Sequence, residues 1–239
     1  MVGIKGRVLA AFRRAGFVVT RTPAPGTLAK HLREVFDVLD VDCVIDVGAN
    51  EGQYGRMLRE EVGFRGRIAS VEPAREPYAR LLEASAGDLE WATFDFGLGD
   101  SEETAVLRTL SADDFSSLHP LNAYGAERFG QTEVGTEEIT VRRLDVVFDE
   151  LVSGCERVFL KSDTQGHDLA VLKGLETQKV VGLQIELSFI NIYDGTPGFT
   201  EAIETVERLG FAPSGFYPIT RTEDQLRLIE ADGVFIAYS

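Results

Sequence analysis

The sequence predicts an α/β fold whose sheet is mostly parallel and ends in an antiparallel hairpin. Short runs of β-branched and apolar residues alternate with segments in which apolar residues recur every three or four positions, as expected of strands joined by crossover helices. The last two runs have no helix between them, which favours an antiparallel pair. A chain of 239 residues without internal repeats or a low-complexity linker is typical of one domain of this class.

Two helices are predicted ahead of the sheet, over residues 4–17 and 28–39, and the proline-containing segment 22–26 separates them. Residues 1–40 are therefore predicted to form a helical cap, and residues 41–239 the main domain. The first helix is predicted to be amphipathic rather than a signal peptide, because arginines interrupt its apolar run and no small-residue cleavage site follows.

The main domain repeats a strand–helix pattern. Its first strand, 42–47, is a continuous β-branched run, as in a strand that is buried on both faces. A segment at about 110–136, rich in Ser, Asp, Gly and aromatic residues, is predicted to be a lid, because long loops in compact domains are usually functional or disordered. The other predicted strands are 66–71, 90–96, 104–109, 137–142, 157–161, 180–187, 211–217 and 233–238, and the helices are 54–62, 76–84, 144–151, 169–175 and 200–209.

The composition argues against several classes of partner. With 24 Lys and Arg against 39 Asp and Glu, the net charge of −15 repels nucleic acid and anionic membrane surfaces. No apolar stretch reaches the roughly 18–20 residues that span a bilayer. The two cysteines, Cys43 and Cys155, have neither the spacing of a zinc site nor the density of a disulfide framework, which indicates reduced thiols in a cytoplasmic protein.

A glycine-rich turn follows the first predicted strand. The strand ends near Asp46, and the turn carries Gly48, Asn50 and Gly52 before the next helix. Parallel sheets bind ligands at the carboxyl ends of their strands, and glycines let the backbone approach a ligand closely. The turn lacks the G-x-G-x-x-G pattern that cradles a dinucleotide, and an acid ahead of it opposes a diphosphate. That acid suits a ligand with an ammonium group, such as S-adenosylmethionine.

A second acid, Glu72, ends the second predicted strand and is followed by Pro73. It lies 26 residues after Asp46, near the spacing at which a carboxylate reaches the hydroxyls of a ribose. Dehydrogenases and methyltransferases both use this arrangement. Glu72 therefore predicts an adenosine-containing ligand without choosing between the two classes.

Six motifs occur in series from about Asp42 onward: DVGANEGQ at 46–53, VEP at 71–73, LGD at 98–100, SSL at 116–118, LKSDTQGHD at 160–168 with VLKG at 171–174, and QIELS at 184–188. Together they resemble the FkbM family of S-adenosylmethionine-dependent methyltransferases. The resemblance implies a class I methyltransferase fold (Rossmann-like), with a seven-stranded, mostly parallel sheet, an antiparallel C-terminal hairpin and here a lid insertion. It also implies O-methylation of a sugar, a glycolipid or a polyketide-type natural product.

Carried over residue by residue, the resemblance assigns a cofactor site. The methionine portion falls to the glycine turn, the ribose to Glu72 and the adenine to the turn at 97–100. The sequence departs from the family pattern at His167 and Asp168, where an aromatic residue and a glutamate are usual, and at Gly55, where a small hydroxyl residue is usual. The cofactor-binding residues implied are Asp46, Gly48, Asn50, Gly52, Glu72, Pro73, Leu98, Asp100, Ser117 and Asp163.

Methyl transfer to an alcohol needs a group that takes the proton of the hydroxyl. Asp163 is predicted to orient the acceptor, and His167 to act as the base, because an unperturbed imidazole has a pKa of about 6.5. Lys161 belongs to the same motif and is predicted to be a third catalytic residue. His119 in the predicted lid is a lesser candidate for the base. Asp163 and Glu186, at adjacent strand ends, are predicted to hold Mg²⁺ by analogy with macrolide sugar O-methyltransferases.

Two other functions stay open at this point. One is an NAD-dependent oxidoreductase of the Rossmann type, and the other is a methyltransferase-like protein that binds the cofactor without catalysis. For the methyltransferase the predicted partners are a small-molecule hydroxyl acceptor and no nucleic acid, with no integral membrane segment. The N-terminal helices are predicted either to form the face of a homodimer or to cover the sheet.

Overall fold

The computed structural model describes Ala24 and residues 26–111, 116–175 and 179–238. The helix predicted over 4–17, and with it most of the predicted cap, lies outside the described residues. The second cap helix, α1 (Leu28–Leu39), has the predicted bounds and begins after Thr27, whose side-chain oxygen accepts the N–H of Lys30. Its buried residues, among them Leu32 and Phe36, pack against one face of the main sheet.

The elements after α1 follow the predicted order. One predicted helix, over 54–62, is split into an α-helix and a π-helical turn, whose last carbonyls accept hydrogen bonds from the guanidinium of Arg33. The elements are β1 (Cys43–Val47), α2 (Gln53–Met57, continued by the π-helical turn Leu58–Val62), β2 (Arg67–Val71), α3 (Arg75–Ser85), β3 (Trp91–Phe94), β4 (Gly97–Gly99), β5 (Glu103–Leu110), α4 (Ala123–Phe129), β6 (Glu133–Arg143), α5 (Leu144–Val152), β7 (Val158–Ser162), α6 (Asp168–Lys173), β8 (Val180–Ser188), α7 (Phe199–Arg208), β9 (Phe211–Arg221) and β10 (Leu228–Ala237).

The main sheet has seven strands in the order β3-β2-β1-β7-β8-β10-β9. Strand β10 is antiparallel to both β8 and β9, and the other neighbours are parallel, which confirms the predicted fold. The strand order reverses between β1 and β7, and ligands of open α/β sheets bind at such a switch point. In the register of these two strands, Asp46 is paired with Lys161 and Val47 with Ser162. The glycine turn and the motif after β7 therefore meet at one place.

Strand β1 is buried along its whole length, as its β-branched composition predicts. Alternate side chains point to opposite faces. Ile45 and Val47 belong to the apolar cluster that includes Leu144 and Leu151 of α5, whereas Val44 belongs to the cluster of α1 on the other face. Both layers of helices thus hold the strand that carries Asp46.

A second, smaller sheet contains β4, β6 and β5, with β4 parallel and β5 antiparallel to β6. The sequence predicted β5 and β6 but not β4, and it did not separate them from the main sheet. The predicted lid of 110–136 differs from the observed segment, because β6 already begins at Glu133 and α4 lies between the two strands. Helix α4 has seven residues and contains a glycine, so it is too short to show a periodic apolar face.

Candidate active site

A cavity of about 590 Å³ opens at the carboxyl ends of the central strands. Its volume falls in the range of about 300–1,000 Å³ that is usual for small-molecule and cofactor pockets. It is lined by the turn after β1, the segments after β2 and β7, strands β8, β9 and β10, and the small sheet with part of the predicted lid. Its polar and charged lining residues are Asn50, Gln53, Tyr54, Glu72, Ser116, Lys161, Asp163, Thr164, Gln165, His167, Gln184, Glu186, Thr220, Glu230 and Asp232.

The glycine turn brings β1 and β7 together. Gly48 has φ +70°, and a Cβ atom at this position would lie 1.9 Å from the carbonyl oxygen of Asp163. The glycine therefore permits a close approach between two parts of the backbone, and it also lines the cavity. Gly52 has a different role: it has φ +79°, precedes α2 and packs on Leu81 and Trp91, outside the cavity lining.

Glu72 is held in the cavity wall by the backbone. Its two carboxylate oxygens accept the N–H groups of Asn50 and Ala74, each at 2.9 Å. The residue is 7% exposed, and burial raises the pKa of its carboxyl group to about 7, although the two N–H groups favour the charged form. Each oxygen keeps acceptor capacity for a ligand hydroxyl. Glu72 and its neighbour Pro73 thus line the cavity, and the binding of a ribose by Glu72 stays a prediction.

Asp46 lies behind the cavity rather than in its lining. It is fully buried, and it contacts the ammonium of Lys161 at 3.1 Å and the hydroxyl of Ser70 at 3.1 Å. The ammonium also donates to the carbonyl of Gly48. Burial would lower the pKa of Lys161, but the carboxylates of Asp46 and Asp163 outweigh it and raise that pKa. The sequence suggested that Asp46 contacts the ammonium group of a ligand. In the structure, the cation that contacts Asp46 is the ammonium of Lys161.

Asp163 presents its carboxylate to the cavity from the end of β7. One oxygen lies 3.8 Å from the ammonium of Lys161, and the other accepts the side-chain amide N–H of Gln165 at 3.0 Å. Lys161 thus lies between Asp46 and Asp163. Two carboxylates and one ammonium leave a net charge of −1 at this point. Because Asp46 is buried, that charge faces the cavity at Asp163.

His167 lies on the opposite side of its turn, against the small sheet. Its Nδ1 is 3.3 Å from Nε2 of His119 in the lid, and its Nε2 lies beside Gly99 of β4. Burial, and then the neighbouring His119, lower the pKa of His167, so the ring is neutral near pH 7. A neutral imidazole has one nitrogen that can accept a proton. The structure therefore brings the two predicted base candidates, His167 and His119, together.

Asp168 stabilises the turn that carries these residues. It is buried, and its Oδ1 accepts the hydroxyl of Ser162 at 2.6 Å as well as the hydroxyl and the backbone N–H of Thr164. Burial raises the pKa of its carboxyl group. Asp168, which stands where the family usually has a glutamate, is thus a structural residue of the turn.

A wall of carboxylates on β8 and β10 was largely missed by the sequence analysis, which identified only Glu186. Glu230 is 5% exposed, and burial raises the pKa of its carboxyl group to about 7. Burial raises the pKa of Asp232 to about 6, and burial together with Asp163 and Glu230 raises that of Glu186. Two acids at alternate positions of an otherwise apolar strand were the signal, because they share a face.

Four predicted cofactor residues do not line the cavity: Asp46, Gly52, Asp100 and Ser117. Asp100 forms an ion pair with Lys173 at 2.7 Å. Ser117 is buried, and its hydroxyl donates to the carbonyl of Gln165, so that its neighbour Ser116 faces the cavity instead. The structure does bring Gly48, Asn50, Glu72, Pro73, Leu98, Lys161, Asp163, His167 and Glu186 to the cavity.

The part of the chain that the structure describes contains no group of three or more His, Cys, Asp or Glu side chains arranged to hold a metal ion. Asp163 and Glu186 therefore supply two carboxylates without a third such ligand, and Mg²⁺ at this pair stays a prediction. Among the same residues, no helix has the length and apolar character needed to cross a bilayer.

The residues fit S-adenosylmethionine better than a dinucleotide. Glu72 offers acceptor oxygens for a ribose, and Leu98, Leu107, Leu118 and Ile139 form an apolar surface near it. The net negative charge at Asp163 complements a ligand with sulfonium and ammonium groups and opposes a diphosphate. The fold and this site define a domain of the class I methyltransferase type.

The particular family follows from comparison with known proteins. The model of the methyltransferase FkbM domain matches residues 46–213, so the chain belongs to this family, and the predicted resemblance is confirmed. A comparison with curated proteins gave no match.

Solved structures with a similar fold are distant in sequence. An FkbM methyltransferase from Methylobacillus flagellatus is 16% identical, with a TM-score of 0.49, over 82% of this chain and 44% of its own. This chain therefore spans less than half the length of that protein. An rRNA methylase from Streptococcus thermophilus is 10% identical, with a TM-score of 0.49, over 88% of this chain and 94% of its own. An Aeropyrum pernix fibrillarin with natively bound S-adenosyl-L-methionine is 12% identical, with a TM-score of 0.44, over 82% and 66%. These similarities carry no inference about the substrate.

Proposed function

We propose that the protein is an S-adenosylmethionine-dependent O-methyltransferase that acts on a hydroxyl of a sugar, a glycolipid or a polyketide-type natural product. The observation that carries the proposal is the cavity at the β1/β7 switch point, where Glu72 and the Asp46–Lys161–Asp163 group lie together. Membership of the FkbM family supports the same activity.

The cavity would hold the cofactor, which supplies the methyl group when bound. Glu72 would accept hydrogen bonds from the ribose hydroxyls. The backbone around Gly48 and Asn50 would border the methionine portion, and Asp163 would face the cationic part. Leu98 and the other apolar lining residues would contact the adenine. These assignments follow the lining of the cavity and the charges on it.

The acceptor hydroxyl must lose its proton as its oxygen is methylated. We assign this proton to the nitrogen of His167 that is unprotonated at neutral pH, with Asp163 orienting the hydroxyl. Glu230 is the second candidate for the base, because it is buried in the cavity wall. Burial raises the pKa of its carboxyl group to about 7, and a general base works best when its pKa is near the pH of the reaction. Asp163 and Glu186 are the residues that would hold Mg²⁺, and activity after chelation tests for it.

A small acceptor suits the acidic surface of the chain, since a net charge of −15 opposes the phosphate backbone of nucleic acid. A cytoplasmic location and a homodimer formed through the N-terminal helices are further proposals. Analytical ultracentrifugation tests the dimer directly: a monomeric mass at all concentrations excludes it.

Methyl transfer from labelled S-adenosylmethionine tests the activity. The protein is incubated with panels of sugar, glycolipid and polyketide alcohols, with matched amines, and with an RNA oligonucleotide. The proposal predicts label in one of the alcohols and none in the RNA. Label in the amines contradicts the O-specificity, and label in the RNA contradicts the small-molecule acceptor. No label in any acceptor, with cofactor bound, supports a binding protein without catalysis.

A further inference from the structure

Gln165 connects three separate parts of the chain at the edge of the cavity. It lies in the turn between β7 and α6, with its backbone in the left-handed region at φ 53°. Its side-chain amide donates to Asp163 at 3.0 Å, its side-chain oxygen accepts the hydroxyl of Tyr193 at 2.8 Å, and its backbone carbonyl accepts the hydroxyl of Ser117 at 2.7 Å. Tyr193 follows β8, and Ser117 lies between β5 and α4, in the predicted lid.

Two of these hydrogen bonds have a buried partner, whereas the side chain of Asp163 is 37% exposed, toward the cavity. Ser117 and Tyr193 are buried at 1% and 3% exposure. Because both residues are buried, water would not replace a hydrogen bond that either of them loses. These two bonds therefore connect Gln165 firmly to two other parts of the chain. The Ser117 bond holds the backbone of the turn, and the carboxamide N–H of Gln165 itself orients one oxygen of Asp163.

The chemical character of the Gln165 amide decides what it does to Asp163. A neutral amide N–H orients a carboxylate without cancelling its charge, whereas a second cation would neutralise it. The nearby ammonium of Lys161 is closer to Asp46, at 3.1 Å, than to Asp163, at 3.8 Å. Gln165 therefore orients the Asp163 carboxylate in the cavity wall through a neutral group.

We propose that Gln165 is a positioning residue that holds the Asp163 carboxylate so that the site favours the cationic cofactor S-adenosylmethionine over its neutral thioether product S-adenosylhomocysteine. The inference rests on the proposed function. Discrimination of this kind favours release of the product after the methyl group has left, because the sulfur then carries no charge. Gln165 itself need not touch the reacting atoms.

Titration calorimetry without any acceptor tests this inference, because the cofactor is then not consumed. The affinities of S-adenosylmethionine and S-adenosylhomocysteine are measured for the full chain and for Gln165→Met, which removes both side-chain hydrogen bonds at similar length. We expect the ratio of the two affinities to shift by about tenfold against S-adenosylmethionine, as for the loss of a hydrogen bond to a charged group. Asp163→Asn should shift the ratio in the same direction.

Tyr193→Phe is the matched control. It removes the loop contact of Gln165 but leaves the amide bond to Asp163, so its ratio should stay within about twofold of the wild type. A structural role of Gln165 alone would weaken both ligands equally and leave the ratio unchanged. Gln165→Ala removes the same amide and gives the same expected shift if Gln165→Met does not fold.

The outcomes separate the two proposals. A wild-type chain that binds neither compound overturns the proposed function, and this inference with it. A wild-type chain that binds both, with the same affinity ratio in Gln165→Met or Asp163→Asn as in the wild type, overturns only the role of Gln165. A shift of the affinity ratio in Tyr193→Phe as large as that in Gln165→Met also overturns the role of Gln165. The contact between Gln165 and Tyr193 would then explain the shift.

Discussion

Replacement of Gly48 by alanine should lower the free energy of unfolding and disturb the site at the switch point. The backbone of Gly48 has φ +70°, and the added Cβ would lie 1.9 Å from the carbonyl oxygen of Asp163, where real Cβ atoms keep at least 3.0 Å. The two strand ends must therefore separate by about 1 Å. The left-handed backbone costs about 1–2 kcal/mol for a non-glycine residue. The forced shift of packed backbone adds about 1–3 kcal/mol, so we expect a loss of about 2–5 kcal/mol in total.

Gly87 provides a matched control for the backbone term. It has φ +88°, and an added Cβ there meets nothing within 4 Å. Gly87→Ala therefore carries the conformational cost without the overlap. Urea unfolding of the two variants and the wild type gives the free energies of unfolding. Gly48→Ala must lose at least 1 kcal/mol more than Gly87→Ala, by the overlap term. Equal losses refute the close approach of Gly48 to Asp163.

Three further variants test the site. His167→Ala should lower turnover by about 10²-fold or more with unchanged S-adenosylhomocysteine binding; unchanged turnover with a large loss in Glu230→Gln instead assigns the proton to Glu230. Asp46→Asn should lower the free energy of unfolding by about 3 kcal/mol, because the buried ammonium of Lys161 loses its nearest carboxylate; a neutral effect contradicts that pairing. The carboxyl pKa of Glu72 is raised to about 7, so the folded state binds its proton more tightly than the unfolded state. The stability of the wild type relative to Glu72→Gln should therefore fall by up to about 3 kcal/mol as the pH rises from about 4.5 to 7, and a pH-independent difference shows that burial does not raise this pKa.

Local sequence patterns were sufficient for much of the main sheet. Strand β1 was predicted from its continuous β-branched run, and the antiparallel end of the sheet from the missing helix before β10. Strand β4 has only three residues, including two glycines, and carries no periodic signal. The middle of the predicted lid contains α4, whose seven residues are too few for a periodic pattern.

The position of a residue relative to the cavity was predictable where it depends on the end of its own strand, and it was not where it depends on a distant partner. Glu72 faces the cavity because it directly follows β2, the strand beside β1. The partner of Asp46 is Lys161, which is far along the chain and is set by the register of β1 against β7. Glu230 and Asp232 enter the cavity only because β10 pairs with β8.

The most direct test of the central claim is titration calorimetry of S-adenosylhomocysteine into the wild-type protein, with NAD⁺ in parallel and Glu72→Ala as the site variant. The account predicts micromolar binding of S-adenosylhomocysteine, none of NAD⁺, and a loss of about tenfold or more in Glu72→Ala, since a ribose that loses its carboxylate partner loses charge-assisted hydrogen bonds. Binding of NAD⁺ in place of S-adenosylhomocysteine, or unchanged affinity in Glu72→Ala, would contradict the assignment of the cavity.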